Sequence, residues 1–325
     1  MIARILALLL LFATGPLAAA DGVRLCLNWA PGADHAPLYY ARDRGWFADA
    51  DIALDIRAGG GSGDALAKLA AGECEAAIAD FSALIAARVA GSDPVAVMNI
   101  FEDSPLAFYS LDTAHVDSPA ALAGKRIAAY ATDPPKRLWA AYAKAAGIGT
   151  DTVNWVDRPN NAKVAALEQG EADVAANGFY HHHVDYAAAF GTRLRVLWWR
   201  DLGINPYGNV LAVTARSMAT ATATVERLVA VVQRGYAACA DPAAPCLAAL
   251  LAANSHLDAA REAAKWAAAV PLLYPPRSAT ATATYGGFDA SRVEADIAHA
   301  AAADPPLARA VFTNRFLDAG VIPSR

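Results

Sequence analysis

Four short apolar runs open the chain, at residues 24–28, 53–57, 75–79 and 95–100, and helical patterns over residues 36–47, 63–71 and 82–90 separate them. Strands joined through helices return in the same direction, because a tight hairpin cannot bring parallel neighbours together. The spacing therefore predicts a parallel sheet. A second unit of the same kind follows Pro105, with strands at 126–129, 153–156 and 173–176 and helices at 135–146 and 162–170. Residues 194–199 and 209–213 read as two more strands. Beyond Thr214 the pattern is helical to the end, with candidates at 225–239, 246–253, 258–270 and 293–302. The expectation is an α/β fold of two lobes, each with a central, mostly parallel sheet. Lobe I would comprise residues 21–105 and 208–325, and lobe II residues 106–207. Two crossing hinge strands, near 104–108 and 202–210, would join them, and the C-terminal tail would be helical. Ligands of such sheets sit beyond the carboxyl ends of the strands, here between the lobes. The two Ala-Thr-Ala-Thr-Ala-Thr runs, at 219–224 and 279–284, read as low-complexity loops without chemistry.

Compartment follows from the start of the chain. Arg4 precedes an apolar run over residues 5–12, and Ala18, Ala19 and Ala20 stand before Asp21. That is the pattern of a signal peptide, residues 1–20, cleaved near Ala20. Export to the periplasm is expected, without a lipid anchor, since no Cys follows the small residues. No later stretch reaches the roughly 18 uninterrupted apolar residues of a membrane span. The apolar fraction of 56% is inflated by Ala and reads as a helix-rich globular protein. A formal net charge of −5 with no basic stripe excludes a nucleic-acid partner. A monomer is expected.

The four cysteines are Cys26, Cys74, Cys239 and Cys246. In an oxidising compartment Cys239 and Cys246, which flank the turn-rich Ala-Asp-Pro-Ala-Ala-Pro, are expected to form a local disulfide. Whether Cys26 pairs with Cys74 stays open. Neither pair has the spacing of a zinc site.

Candidate ligand-binding residues sit where the strands end. The first strand delivers Asn28, Trp29, Asp34 and His35 to the sheet edge; for Trp29 the alternative is a core ring, for Asp34 a helix cap, and a lone His near a helix start is often structural. The second strand runs into Gly-Gly-Gly-Ser-Gly-Asp at residues 59–64. There Ser62, Gly63 and Asp64 open a helix, and bare backbone amides could receive oxygen or anionic groups. This run is neither a nucleotide phosphate loop nor a dinucleotide fingerprint. The third strand adds Asp80, Phe81 and Ser82, and the fourth Asn99 with Glu102 and Asp103. In the second unit Tyr130, Asp133, Asn177, Phe179 and Tyr180 face the opposite wall, with Tyr207 at the return crossing.

Rings on both walls with Asn, Asp and Glu between them suit a flat heteroaromatic solute. A sulfonate or phosphate would call for an Arg fork, for which Lys136 and Arg137 are the lobe II candidates. His181, His182 and His183 are consecutive, point in different directions, and read as a solvated loop with at most one ring at the cleft rim; no metal site is expected. No nucleophile elbow, metal-spaced His pair or cleft-edge Lys suggests catalysis, so neither a cofactor nor an enzyme is expected.

Leu-Asn-Trp-Ala-Pro-Gly-Ala-Asp-His at 27–35, Leu-Tyr-Tyr-Ala-Arg-Asp-Arg-Gly-Trp-Phe at 38–47 and the Gly-rich run at 59–64 carry a resemblance. The chain resembles, over nearly all its length after the leader, the importer-binding proteins related to thiamine-pyrimidine synthase. The resemblance implies a type II periplasmic binding-protein fold, a ligand in the cleft and an ABC importer as partner. Thiamine-precursor pyrimidines lead the ligand classes it implies, and riboflavin, a sulfonate or nitrate are the alternatives. The enzymatic relatives resemble residues 76–89 but carry a cofactor-anchoring Lys and a substrate-donating His where this chain has Asp80 and Leu84. Their cysteine-rich iron motif is missing too, which argues against a pyrimidine-synthase activity.

Overall fold

The structure, a computed structural model, describes residues 20–131, 133–275, 284–299 and 310–323. The leader before Ala20 and all but Thr284 of the second Ala-Thr run lie outside these residues, as does the end of the helix expected at 293–302.

Among the described residues ten strands form two five-stranded sheets. In the first, β1 (Asp21–Cys26), β2 (Ile52–Arg57), β3 (Ala76–Asp80) and β4 (Pro94–Asn99) are joined by the returning β10 (Asn209–Thr214) in the order β2-β1-β3-β10-β4. β1 and β2 run parallel from Asp21 opposite Ile52 to Cys26 opposite Arg57. The second sheet contains β5 (Ala107–Leu111), β6 (Arg126–Ala129), β7 (Asn154–Asp157), β8 (Val174–Asn177) and β9 (Leu194–Trp198), in the order β7-β6-β8-β5-β9. β3 and β4 are buried along their whole length, as expected of strands covered on both faces.

The sheets share a rule that the apolar runs do not announce. The strand following each passage between the lobes, β5 after the first and β10 after the second, enters antiparallel to its neighbours. β4 is consequently separated from β3 by β10, where the sequence reading makes all four N-terminal strands a simple parallel series. The passages are stitched together. Ser104 donates its backbone N–H to Asn205 Oδ1 at 2.7 Å, and Asn205 Nδ2 donates to Asp103 Oδ1 at 2.7 Å.

Helices cover both sheets. They are α1 (Ala36–Asp43), α2 (Trp46–Asp49), α3 (Ser62–Ala70), α4 (Phe81–Val89), α5 (Pro134–Arg137), α6 (Trp139–Ala146), α7 (Lys163–Glu168), α8 (Tyr180–Phe190), α9 (Ala215–Thr220), α10 (Thr222–Ala238), α11 (Cys246–Ala253), α12 (Ala259–Leu273) and α13 (Ala290–His299). The helix expected over 36–47 breaks into α1 and α2 at Gly45, whose φ of 75° is open to glycine. The first Ala-Thr run is no loop: it spans the end of α9 and the start of α10. His181–His183, expected in a solvated loop, lie in the first turn of α8. The chain does not finish in helices alone, since Phe312 makes a parallel bridge with Ala96 of β4.

On one face of the first sheet, Val23, Leu25, Ile78, Val97 and Leu211 pack with Leu38 of α1 and Val229 and Val232 of α10. Two buried disulfides brace the first lobe. Cys26 at the end of β1 joins Cys74 ahead of β3, settling the pairing that the sequence left open, and Cys239 joins Cys246 between α10 and α11. Among the described residues no helix is long and apolar enough to cross a membrane.

Candidate functional site

Between the sheets lies a cleft of about 1140 Å³, lined from both lobes at the carboxyl ends of their strands. Its lobe I floor is a chain of buried amides. The Gly32 N–H points at His35 Nδ1 at 3.3 Å, which leaves the His35 proton on Nε2, 3.0 Å from Asn28 Oδ1. Asn28 Nδ2 donates to Asn209 Oδ1 at 3.2 Å, and Asn209 Nδ2 donates to Asp34 Oδ2 at 3.4 Å. One hydrogen-bond chain thus runs from the 27–35 turn after β1, past the end of β3, to the start of β10. Above it Trp29 stands 50% exposed on the cleft wall, a ring that the core does not use.

The Gly-rich turn owes its course to two glycines. A Cβ on Gly59 would lie 1.8 Å from the Leu27 carbonyl oxygen, and Gly61 adopts φ 133°. Close contact with the β1 exit brings Ser62 to the end of β3, where its Oγ accepts the Asp80 N–H at 2.9 Å. Asp64 accepts from the Gly60 N–H at 3.0 Å and pairs with Lys68 at 2.7 Å. Asp80 caps α4 by accepting from Ala83 N–H and takes a second bond from Ser82 Oγ. Burial pushes the Asp80 carboxyl above its usual range, against the pull of Arg137.

The lobe II wall is anchored by Lys163, fully buried, which donates to Asp133, to Asn160 Oδ1 at 2.7 Å and to the Ala176 carbonyl at 2.8 Å. Burial draws the ammonium below its ordinary range while Asp133 favours the charged form. Asp133 also accepts the Tyr130 N–H at 2.6 Å and so fixes the loop carrying Tyr130, 45% exposed at the cleft. From β8 the chain turns through Gly178 into α8, whose first turn sets Tyr180, His181 and His182 on the cleft behind Phe179. Burial, reinforced by neighbouring cations, holds His181 well below the usual histidine range and brings His182 down to about 3, so both rings are neutral.

Three bridges join the lobes around the cleft. Tyr180 OH donates to Asp34 Oδ1 at 2.8 Å and accepts the Asp34 N–H at 3.0 Å. Arg137 Nη2 donates to Ser82 Oγ at 2.8 Å and lies 3.6 Å from Asp80 Oδ1. Arg261 of α12 pairs with Asp185 of α8 at 2.6 Å.

Of the sequence candidates, Asn28, Trp29, Asp34, His35, Ser62, Gly63, Asp64, Asp80, Tyr130, Asp133, Arg137, Phe179 and Tyr180 line the cleft. The others do not: Asn99 donates to Glu102, and Asp103 accepts from Asn205. Phe81 and Tyr207 are core rings that pack edge to face against one another; Tyr207 also packs edge to face against Phe288 and Phe81 at a 32° tilt to it, because the first residue of α4 turns back under the sheet. Glu102 is drawn away by Arg292 at 3.3 Å and by Asn99. Ser82 is buried beneath the cleft wall and reaches the site only through Asp80 and Arg137. Asn177, fully buried, holds Phe179 and His182 from behind. The sequence reading missed His181 and His182 as a cleft pair, together with Arg261, Glu262 and Lys265 of α12. Glu262 and Lys265, one helical turn apart, were the available signal: they pair at 2.6 Å on one face. Among the described residues no group of three or more His, Cys, Asp or Glu could hold a metal ion.

A model of the family described as NMT1/THI5 like matches residues 32–244, about two thirds of the chain. No curated protein matches the chain in sequence. In structure it is similar to the periplasmic aliphatic sulphonate binding protein SsuA from Escherichia coli, at a TM-score of 0.67 and 16% identity, covering 86% of each chain. The alkanesulfonate-binding protein SsuA from Xanthomonas axonopodis pv. citri, bound to MOPS, gives a TM-score of 0.65 at 16% identity, covering 91% of this chain and 100% of that one. The Candida albicans CA3427 gene product, described as having the generic periplasmic binding protein fold, gives 0.64 at 13% identity, covering 90% and 96%. At these identities the likeness concerns the fold.

Proposed function

The chain belongs to the NMT1/THI5-like family, and on that premise we propose that it is an exported, non-enzymatic solute receptor of a membrane importer. Its cleft takes a small, flat, amino-bearing heteroaromatic solute, with a thiamine-precursor pyrimidine as the leading candidate. The receptor closes on the solute between its lobes, and the importer recognises the closed form. The two disulfides support an oxidising compartment such as the periplasm.

One observation carries the ligand class: the cations that line the cleft are already matched. Arg137 faces Asp80, Arg261 pairs with Asp185 and Lys265 with Glu262. Just behind the wall Lys68 and Lys163 hold Asp64 and Asp133. Asp34 is the carboxylate with no Lys or Arg partner among the described residues; Tyr180 and Asn209 serve it. A wall of matched cations, one surplus carboxylate, neutral histidines and the accessible rings of Trp29 and Tyr130 favours a neutral or cationic planar solute that stacks and donates hydrogen bonds. Stacking contributes roughly 1 kcal/mol per ring pair beyond area.

A sulfonate is the second reading. Arg137 lines the cleft, and two proteins of the same fold bear sulfonate-binding names. A sulfonate would have to take Arg137 from Ser82 and Asp80, leaving the buried Asp80 carboxylate uncompensated.

A thermal-shift panel separates the two. A solute at about 100 times its Kd stabilises by roughly 2.7 kcal/mol, which moves the midpoint of a chain this size by several degrees. A shift with an aminopyrimidine, lost in Trp29→Ala, is the expected result. Shifts confined to taurine or nitrate would overturn the heteroaromatic assignment.

A further inference from the structure

Asn177 sits fully buried at the end of β8, and both ends of its amide are assigned by the backbone of Phe179. Its Oδ1 accepts the Phe179 N–H at 3.1 Å, and its Nδ2 donates to the Phe179 carbonyl at 3.2 Å. Turning the amide over would set donor against donor and acceptor against acceptor, so its orientation is fixed. His182 Nδ1 lies 2.9 Å from that same Oδ1. An amide oxygen has no proton to give, and Nδ1 must therefore carry one.

The other ring nitrogen follows. A neutral imidazole protonated at Nδ1 has a lone pair at Nε2. The ring is kept neutral by burial and by Lys163, Lys265 and Arg261. Nε2 has no hydrogen-bond partner among the described residues, yet it is not sealed in, unlike Nδ1 of His183 next door, which is buried without a partner. His182 lines the cleft, and its ring is set edge-on to His181, with centroids 4.1 Å apart, and to Phe179 at 5.9 Å.

We propose that His182 presents Nε2 to the solute as a fixed, uncharged hydrogen-bond acceptor, with Asn177 as the positioning residue that sets its tautomer, so that the site selects solutes bearing an N–H donor. This inference rests on the receptor reading above and deepens it. An exocyclic amino group satisfies the acceptor. A sulfonate oxygen, proton-free at neutral pH, would meet it lone pair to lone pair. Sites built around a directed hydrogen bond discriminate strongly against analogues that cannot make it.

The tautomer can be read without any ligand. In the full chain labelled with 15N-histidine, long-range proton–nitrogen spectra between pH 6 and 8 are expected to show His182 protonated at Nδ1 alone, with the signal assigned by its loss in His182→Phe. Protonation at Nε2, or an imidazolium in that range, would overturn the proposal. Calorimetry with 4-amino-2-methylpyrimidine and 2,4-dimethylpyrimidine as probes then tests the selectivity. The wild type is expected to prefer the amino compound by tenfold or more, His182→Phe to bring the ratio close to one, and His182→Gln, which keeps an uncharged acceptor, to retain part of it. A ratio unchanged in a folded His182→Phe would overturn the selectivity while leaving the receptor reading intact. Should neither pyrimidine bind, the ligand class above fails, and the spectrum still decides the tautomer.

Discussion

The two walls of the cleft are built on opposite plans. On the lobe I floor Asn28, His35, Asn209 and Asp34 spend most of their hydrogen-bonding capacity on one another, so the floor is stiff and offers few open valences. On lobe II the satisfied groups Lys163 and Asn177 stand one layer back, Asp133 is buried at the wall itself, and the residues they hold, Tyr130 and His182, line the cleft. The difference teaches that burial and bonding mark the scaffold of a site, whereas the groups that read a solute are the ones the scaffold holds but does not consume. Lobe I supplies shape and one exposed ring; on the proposed reading, lobe II would supply selection.

The largest test of this contrast removes the lobe II anchor. Lys163→Met leaves Asp133 as an uncompensated buried charge and is expected to cost about 3–5 kcal/mol in urea unfolding. A loss under about 1 kcal/mol would mean that the wall stands without its ion pair.

Next, two buried groups, one in each lobe, should titrate in opposite directions. Asp296 of α13, behind the return passage, accepts the Tyr207 N–H at 3.0 Å and is pushed up by burial to about 7. A carboxyl raised in the folded state gives stability that is full below its ordinary value near 4 and is lost as pH rises through 7. Asp296→Asn should therefore gain on the order of 2 kcal/mol over the wild type at pH 8 and almost nothing at pH 4. His182 is depressed instead. Its contribution is full above the ordinary histidine value near 6.5 and is lost as pH falls toward 3, so His182→Phe should flatten the acid limb of the stability curve by a similar amount. Parallel slopes in both variants would remove the distinction.

A smaller effect belongs to the lobe I relay. Asn209→Ala strands Asn28 Nδ2 and removes a donor from Asp34, at roughly 1–3 kcal/mol by thermal or urea melts. The smallest is Trp29→Ala, which should leave stability within about 0.5 kcal/mol while abolishing solute-induced stabilisation; a large folding defect would place that ring in the scaffold after all.

Sequence reasoning saw lobe I better than lobe II, for physical reasons. Strand ends followed at once by Asn28, Trp29 or a Gly-rich turn advertise themselves, because local chemistry dictates what such a turn can do. His181 and His182 did not. Their value comes from a helix start that the short segment after β8 does not signal and from Asn177, whose role appears only once the backbone of Phe179 is in place. Phe81 and Tyr207 failed conversely: a strand-end aromatic reads alike whether it turns toward a ligand or toward Phe288. The reach of α12 into the cleft depends on packing against α8, which the local mark of Glu262 and Lys265 does not convey. The antiparallel entry of β5 and β10 was equally silent, since an apolar run carries no direction.

Tyr180 belongs to lobe II by chain and to lobe I by company. Its ring packs against Phe101, 5.6 Å between centroids, within the lobe I core, and its hydroxyl is shared with Asp34. Parting the lobes means withdrawing an aromatic ring from a packed interior and hydrating it, a step that no solute takes part in. On the proposed receptor reading, residence time in such a cleft would have a component set by the protein itself: two solutes of unequal affinity would leave through the same gate, and a membrane partner that eased that ring out would hasten release of either without touching the bound molecule.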